Sequence, residues 1–537
     1  MNAKVFVIGL DGATFELIKP WIEEGALPTL KTLIDKGVHG NLTSTIPFIT
    51  CPAWTSFKTG MNPGKTGVFD FFARVPNSYK TRPRFQSLQG KSIWDILSKK
   101  NMTVGIINVP TTYPPHRVQG FMVTGMLTPS QKKEFTYPKN LRKDLDRVTG
   151  GYSINIDRLE YLNEDQFLKD LYKLTEKRIK AVKYVLEKYS LDFFMVVFVG
   201  TDRIQHFFWK YLDETHPLYD EGRAQKYRNE VKDYWIQIDS AIKDIVDTID
   251  EHTYVIIMSD HGFGSQKKNF YVNDWLEKKG FLTFKEEVTV SGFTRESVKN
   301  VLKKLGVLKH VKALPISKGR KLLPTGRYPT FEEVIPKIDW SNTKAYSCQH
   351  SFDHIYLNVK GRDPHGSITE EAYESMRNDL IDELKTFGEE TALQVKIYKR
   401  EEIYTGVHVS SAPDIIFLLK EGECLTVKKV GHSSVVEDGS FKDMHTGSHR
   451  PHGILIAYGP HIKKGVTVDD AEIIDIVPTI LHIYGIPIPQ EMDGTVLKAI
   501  FEEHSELAKR EVKYQKVDEE AEKIKGTIEE LKRTGKV

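Results

Sequence analysis

The sequence predicts an α/β protein: a doubly wound, mainly parallel central sheet flanked by helices, with an inserted cap. Three observations predict it. Short apolar runs recur along the chain, each bounded by Gly, Pro or Asp, and runs of that length without polar alternation suit strands covered on both faces. Longer stretches with helical apolar spacing separate them. The chain has 537 residues, more than one compact domain usually holds, so an accessory module is expected.

The elements follow in order. The runs Val5–Leu10, Val104–Val109, Phe193–Val199, Tyr254–Met258, Ile415–Leu419 and Ile454–Tyr458 read as strands. A helix should begin near Pro52, because proline suits a first helical turn. Leu168, Leu171, Leu174, Ile179, Val182 and Val185 form an apolar stripe that predicts a helix over 164–188. Val231, Trp235, Ile238, Ile242 and Ile245 do the same for 227–249. From Gln266 to Arg327 there are fifteen Lys/Arg against five Asp/Glu, with Pro315 and Pro324 interrupting. That stretch reads as an insertion, and its lysines as a solvated face or a rim attracting an anion. Near the end Val517, Ala521, Ile524, Ile528 and Leu531 make one apolar helical seam, which suits docking on the body or a dimer contact. The expected division is a catalytic core from 1–263 and 344–500, a basic inserted cap at 264–343, and a helical tail at 501–537.

Composition narrows the function. Lys+Arg number 76 and Asp+Glu 73, a net charge of +3, which argues against a nucleic-acid coat or a polybasic membrane binder. No apolar run approaches the length of a membrane span, and no signal-peptide pattern precedes the first strand, so a cytoplasmic enzyme is expected. Cys51, Cys348 and Cys424 are far apart in the chain, which argues against a disulfide framework and against a cysteine-built zinc site.

Three strand runs end on carboxylates: Asp11 after the first, Asp202 after the third, Asp260 after the fourth. Ligands of open α/β sheets bind at the strands' carboxyl edge, and three carboxylates gathered there repel one another unless a cation lies among them. Each Asp alone reads as a helix N-cap; histidines accompany them and change the reading. His206 follows Asp202 by four residues, one helical turn, and His261 follows Asp260 directly. His449 and His452 precede the last strand. Mixed Asp/His ligands suit zinc or manganese, and six of them suffice for two ions, a recurrent arrangement for phosphate-ester chemistry. Thr50 and Cys51 stand where a nucleophile would meet a helix N-terminus.

These segments resemble the alkaline phosphatase superfamily. They are most similar to its type I phosphodiesterase/nucleotide pyrophosphatase branch and to its group of phosphohydrolases and phosphomutases. The resemblance rests on GLDGA at 9–13, the Thr50 segment through KTGMNPGKTG, TDRIQH, SDHGFG, GSHRPHGILIAYGP, and DIVPTILHIYGIPIPQEMDG. It implies that Asp11, Asp260, His261 and Thr50 surround one divalent ion, and that Asp202, His206 and His449 hold a second, zinc or else manganese. His452 is an alternate ligand. It further implies that Thr50 is the nucleophile and forms a covalent phospho-threonine on a small phosphorylated substrate. Two departures concern the substrate pocket. Thr66-Gly67 stands where relatives have His-Gly, and VFDFF at 68–72 lacks the phosphate-contacting asparagine. Asn108, Arg203 and Arg450 are the candidate substrate contacts. A phosphodiesterase is therefore expected, a phosphomonoesterase or phosphomutase is the alternative, and a non-catalytic binding protein is the reading from another class.

Overall fold

The computed structural model describes residues 3–84, 92–130, 132–156, 163–286, 328–439 and 445–516. Its centre is a ten-stranded sheet. The strands are β1 (Lys4–Leu10), β2 (Val38–Thr43), β3 (Val104–Val109), β4 (Gly120–Thr124), β5 (Thr136–Tyr137), β6 (Phe193–Phe198), β7 (Thr253–Met258), β8 (His452–Tyr458), β9 (Val466–Thr467) and β10 (Ala471–Glu472). Their order is β9-β2-β8-β7-β1-β6-β3-β4-β5, with β10 also on β2. The run β7-β1-β6-β3-β4 is parallel, whereas β8 lies antiparallel between β7 and β2.

The unbroken apolar runs have a direct cause. In β1, Phe6, Ile8 and Leu10 feed a core on one face while Val5 and Val7 feed a core on the other. In β6, Phe194, Val196 and Phe198 face the first core, and Phe193, Met195 and Val197 the second. Both faces are dry, so neither residue parity can be polar. The helices Glu164–Lys188, Gly200–Leu212 and Glu221–Val246 cover the first face. The helices Thr50–Thr59 and Ile476–Ile483 cover the second. Glu164, at the start of its helix, ties two of these helices together: its carboxylate meets Lys210 at 3.1 Å and Arg223 at 3.0 Å.

The doubly wound, mainly parallel sheet and the helix over 164–188 are as the sequence predicts. Two expectations need correction. The helix expected from 227 begins six residues earlier, at Glu221, because its first turns are polar and carry no apolar stripe to mark them. The run Ile415–Leu419 is a strand, but of a separate four-stranded sheet with Ala345–Tyr346, His354–Leu357 and Val395–Lys399. That sheet is antiparallel. Ile415, Phe417 and Leu419 enter a third core while Ile416 enters a fourth, so both faces are again buried. An unbroken apolar run reports two-sided burial and does not say which sheet provides it. Most of the basic stretch, 287–327, and the apolar seam of the tail lie outside the described residues.

Candidate active site

Three adjacent parallel strands deliver the carboxylates. Asp11 follows β1, Asp202 enters the helix after β6, and Asp260 follows β7. The antiparallel β8 supplies what a parallel strand cannot: its amino end reaches the same edge. A ribbon of Gly262–Ser265 against Gly447–Arg450 pairs Phe263 with His449 there, and the His449 ring stacks on that of His261 at 3.6 Å. Thr50 is the first residue of its helix, with Ile49 as the cap. Its hydroxyl is therefore not occupied as an N-cap and lies 3.4 Å from His261 Nε2.

The loops are pinned. Gly12 donates its N–H to Asp260 Oδ1 at 3.1 Å, in a turn with φ +69°, where glycine is unstrained. Gln205 Nε2 donates to the Gly12 carbonyl at 2.7 Å. Thr201 Oγ1 donates to the Asp11 carbonyl at 2.6 Å. Asp11, Asp202, Asp260, His261 and Thr50 are buried, while His206 and His449 are part-exposed and mark the open side.

The geometry calls for cations. The Nδ1 atoms of His206, His449 and His261 face the carbonyl oxygens of Gly447, Phe48 and Gly262 at 2.8, 3.2 and 3.0 Å. A carbonyl only accepts, so each Nδ1 carries a proton, and in the form that can ligate a metal each ring turns an Nε2 lone pair inward. Those nitrogens face carboxylate oxygens. Asp202 Oδ1 is 3.3 Å from His206 Nε2 and 3.2 Å from His449 Nε2. Asp260 Oδ2 is 3.3 Å from His261 Nε2, and Asp11 Oδ1 is 3.8 Å away. Asp11 Oδ1, Asp202 Oδ1 and Asp260 Oδ2 are buried and have no hydrogen-bond donor. Acceptor against acceptor is repulsive without a positive charge between them. Ligands at 2.0–2.1 Å on a tetrahedral ion stand about 3.3 Å apart, the spacing seen around Asp202 and His261.

The titration pattern has the same origin. Burial, with the Asp260 and Asp202 charges, holds Asp11 well above the usual carboxylate range. Burial pushes Asp260 up to about 7. Burial also acts to raise Asp202, but His206 and His449 outweigh it and hold this carboxyl well below its ordinary value. Burial pushes His261 and His449 each down to about 4. Burial, and then Asp70, push the Cys51 thiol up to about 12, so Cys51 is no thiolate near neutral pH and Thr50 is the hydroxyl left at the helix start.

The fold thus gathers Asp11, Thr50, Asp202, His206, Asp260, His261 and His449. Ligand atoms of Asp202, His206 and His449 form one group within 4.8 Å of one another, and those of Asp11, Asp202 and His261 form another; Asp202 belongs to both. The remaining candidates stand apart. His452 is exposed, 3.4 Å from Thr43 Oγ1, and outside both groups. Asn108 is buried, donates to the Thr124 carbonyl at 3.0 Å and accepts from Tyr152. Arg450 donates to the carbonyls of His449 and Ser265 at 2.9 and 2.6 Å. Arg203 is half-buried, and its charge acts to lower Asp11. A cavity of about 240 Å³ among Ile179, Val182, Leu186 and Ile245 shares no residue with the cluster.

Sequence reasoning missed three participants. Trp54, one turn after Thr50, donates its indole N–H to Asp11 Oδ2 at 3.1 Å; the i, i+4 spacing is the available signal. Asp70, in the segment lacking the expected asparagine, accepts from His350 Nδ1 and the Ser351 N–H at 2.8 and 2.9 Å. The fold also places Cys348 beside His350 and His354, and the C-x-H-x3-H spacing is the available signal.

A family model described as type I phosphodiesterase / nucleotide pyrophosphatase matches residues 5–447. Phosphonoacetate hydrolase from Sinorhizobium meliloti 1021, solved with phosphonoformate, is similar in fold with TM-score 0.52 at 13% identity, covering 90% of this chain and 95% of that one. Murine ectonucleotide pyrophosphatase / phosphodiesterase 5 gives TM-score 0.47 at 12% identity over 90% and 95% of the two chains. None of the curated proteins matches the chain in sequence. Among the described residues no helix is long and apolar enough to cross a membrane.

Proposed function

Because the chain belongs to the type I phosphodiesterase / nucleotide pyrophosphatase family, we propose that it is a metal-dependent hydrolase cleaving a phosphodiester or pyrophosphate-type bond through Thr50. The observation that carries the reading is the ring of inward-facing Nε2 lone pairs against donor-less carboxylate oxygens, with the Thr50 hydroxyl beside it. Two divalent ions, zinc in the first instance and manganese otherwise, held by Asp202, His206 and His449 and by Asp11, Asp260 and His261, would supply the positive charge that acidifies a hydroxyl and steadies a leaving oxygen.

Thr50 has the first position of its helix, where unpaired backbone N–H groups and the helix dipole favour a phosphate oxygen. Its hydroxyl loses a proton, the Oγ1–phosphorus bond forms, and the bond to the leaving oxygen breaks. Water then attacks the phospho-threonine and restores the hydroxyl. Trp54 fixes the Asp11 carboxylate, and Gln205 fixes the Gly12 turn.

A monoester presents an extra negative charge and calls for further cations in the pocket. Arg450, one of the two arginines that could answer it, is committed to backbone carbonyls, which supports a diester over a monoester or mutase substrate. In this reading the described residues of the second sheet, which pack beside Ile49, form the leaving-group side. Three unpaired, buried cysteines suit a reducing compartment such as the cytoplasm.

The test is turnover of bis-(p-nitrophenyl) phosphate and p-nitrophenyl phosphate by wild type and Thr50→Ala, each with zinc and with manganese. Faster diester cleavage that disappears in the variant is expected. Wild-type turnover by Thr50→Ala would remove the nucleophile assignment, and a monoester preference would move the assignment to a phosphatase or mutase.

A further inference from the structure

A second group of metal-ligating side chains lies outside the candidate active site and shares no residue with it. Cys348 and His350 are buried in the loop that joins the strands Ala345–Tyr346 and His354–Leu357 of the second sheet, and the buried His354 opens the second of these strands. Their ligand atoms lie within 4.8 Å of one another. Both rings have their outer nitrogen occupied. His354 Nδ1 faces the Phe352 carbonyl at 2.9 Å, and His350 Nδ1 faces Asp70 Oδ2 at 2.8 Å. The Phe352 carbonyl behind His354 Nδ1 fixes the tautomer that presents an Nε2 lone pair, and the Asp70 carboxylate orients the His350 ring as carboxylates orient metal-ligating histidines. The inward atoms then face one another: Cys348 Sγ is 3.7 Å from His354 Nε2, and Tyr356 Oη is 3.5 Å from His350 Nε2.

We propose that Cys348, His350 and His354 form a structural site for one zinc-class ion, oriented by Asp70 and open to the Tyr356 hydroxyl or a water as fourth ligand. The Cys348–His354 distance agrees with this. Around a tetrahedral ion with Zn–S of about 2.3 Å and Zn–N of about 2.05 Å, sulfur and nitrogen stand about 3.6 Å apart, against 3.7 Å for Cys348 Sγ and His354 Nε2. Charge agrees too. A thiolate and the Asp70 carboxylate together balance a divalent ion, and the buried Lys428 nearby has Asp353 as its counter-charge. The plain alternative is a thiol donating to His354 with no metal present. In that alternative the Ser347 hydroxyl, 3.4 Å away, also reaches His354 Nε2 and the Tyr356 hydroxyl donates to His350 Nε2, so metal loading separates the two.

The position gives the ion a task. Asp70 belongs to the segment that follows the Thr50 helix, whereas the three ligands belong to the second sheet. An ion here staples the loop of that sheet to the catalytic segment. It acts by holding two elements in register and touches no substrate.

The experiment uses cobalt as the probe, because the active-site cluster holds no sulfur. The full chain is stripped with chelator, reloaded with Co²⁺ and examined in the near ultraviolet. The expected result is a sulfur-to-cobalt charge-transfer band at one equivalent per chain, present in wild type and in Cys424→Ser but absent in Cys348→Ser and His354→Gln. Alkylation of the native wild type covers the case in which those variants do not fold: Cys348 should resist the reagent until chelator is added. A cobalt-saturated wild type without the band, or a Cys348 alkylated equally fast with and without metal, overturns the site. Neither result bears on the Thr50 assignment, which the ester assays test separately.

Discussion

Gly9→Ala is a one-methyl perturbation of the link between β1 and the Thr50 helix. A Cβ at Gly9 would stand 2.5 Å from Trp54 Cη2 and 2.9 Å from Val197 Cγ2, where carbon atoms prefer about 3.5–4.0 Å. β1 is hydrogen-bonded on both sides, to β6 and β7, so the strand holds and the indole retreats by about 1 Å. Trp54 is fully buried and packs edge-to-face on Phe57 at 5.7 Å, so its retreat moves the helix that begins with Thr50 and withdraws the donor on Asp11. Overpacking of this kind costs about 1–3 kcal/mol. A 1 Å misplacement of a reacting group lowers turnover on the order of 100-fold. With 537 residues, each kcal/mol moves a cooperative melting point by only about 1 °C, so kcat is the sensitive assay. Trp54→Phe removes the clashing ring edge and also the indole donor, and should weaken metal binding by about 10–100-fold. Under saturating metal the double variant Gly9→Ala/Trp54→Phe should be at least about 1 kcal/mol better than the sum of its parts, because phenylalanine leaves room for the methyl. Wild-type kcat in Gly9→Ala, or additivity within about 0.5 kcal/mol, refutes the reasoning.

Asp202 belongs to both ligand groups and His449 to one. Asp202→Ala should therefore retain fewer ions per chain than His449→Ala after reloading and desalting, as read by elemental analysis; equal retention contradicts the sharing. At Glu164, burial acts to raise the carboxyl, but Lys210 and Arg223 outweigh it and hold the group down to about 2. A depressed carboxyl stabilises the fold above its unfolded value of about 4.5, and that contribution fades as pH falls toward 2. Glu164→Gln should therefore unfold more easily than wild type at pH 7, by at most about 3 kcal/mol. In urea melts the gap should narrow below pH 4, and a gap independent of pH would contradict the assignment.

Legibility in the sequence followed the reach of the pattern involved. Asp11, Asp202 and Asp260 could be read because each ends an apolar run, and a run that ends at a parallel sheet's carboxyl edge locates its next residue in space. His206 could be read because i, i+4 is one helical turn. The partition of Ile415–Leu419 into a separate sheet could not, since burial on both faces leaves the same pattern wherever it arises. Trp54 reads as a core aromatic until the strand beneath it is known to carry a glycine. Asn108 and Arg450 were chosen by neighbourhood in the chain, but their side chains turn to Thr124, Tyr152 and backbone carbonyls. Cys348 was discounted by counting one residue type, whereas coordination counts donors of every type.

The place of β8 sets a timetable for biosynthesis. It fills the slot between β7 and β2, pairing Leu455 with Met258 and Ala457 with Val38, and it arrives late in translation. Roughly 200 residues separate Met258 from His452, so at about 5–20 residues per second the ribosome needs on the order of 10–40 s to supply it. During that interval β7 has an open edge and β2, whose partners all follow residue 451, has no partner strand, the configuration that invites pairing with other chains. His449 emerges only three residues ahead of β8, so the candidate ligand set is completed just as the slot between β7 and β2 is filled.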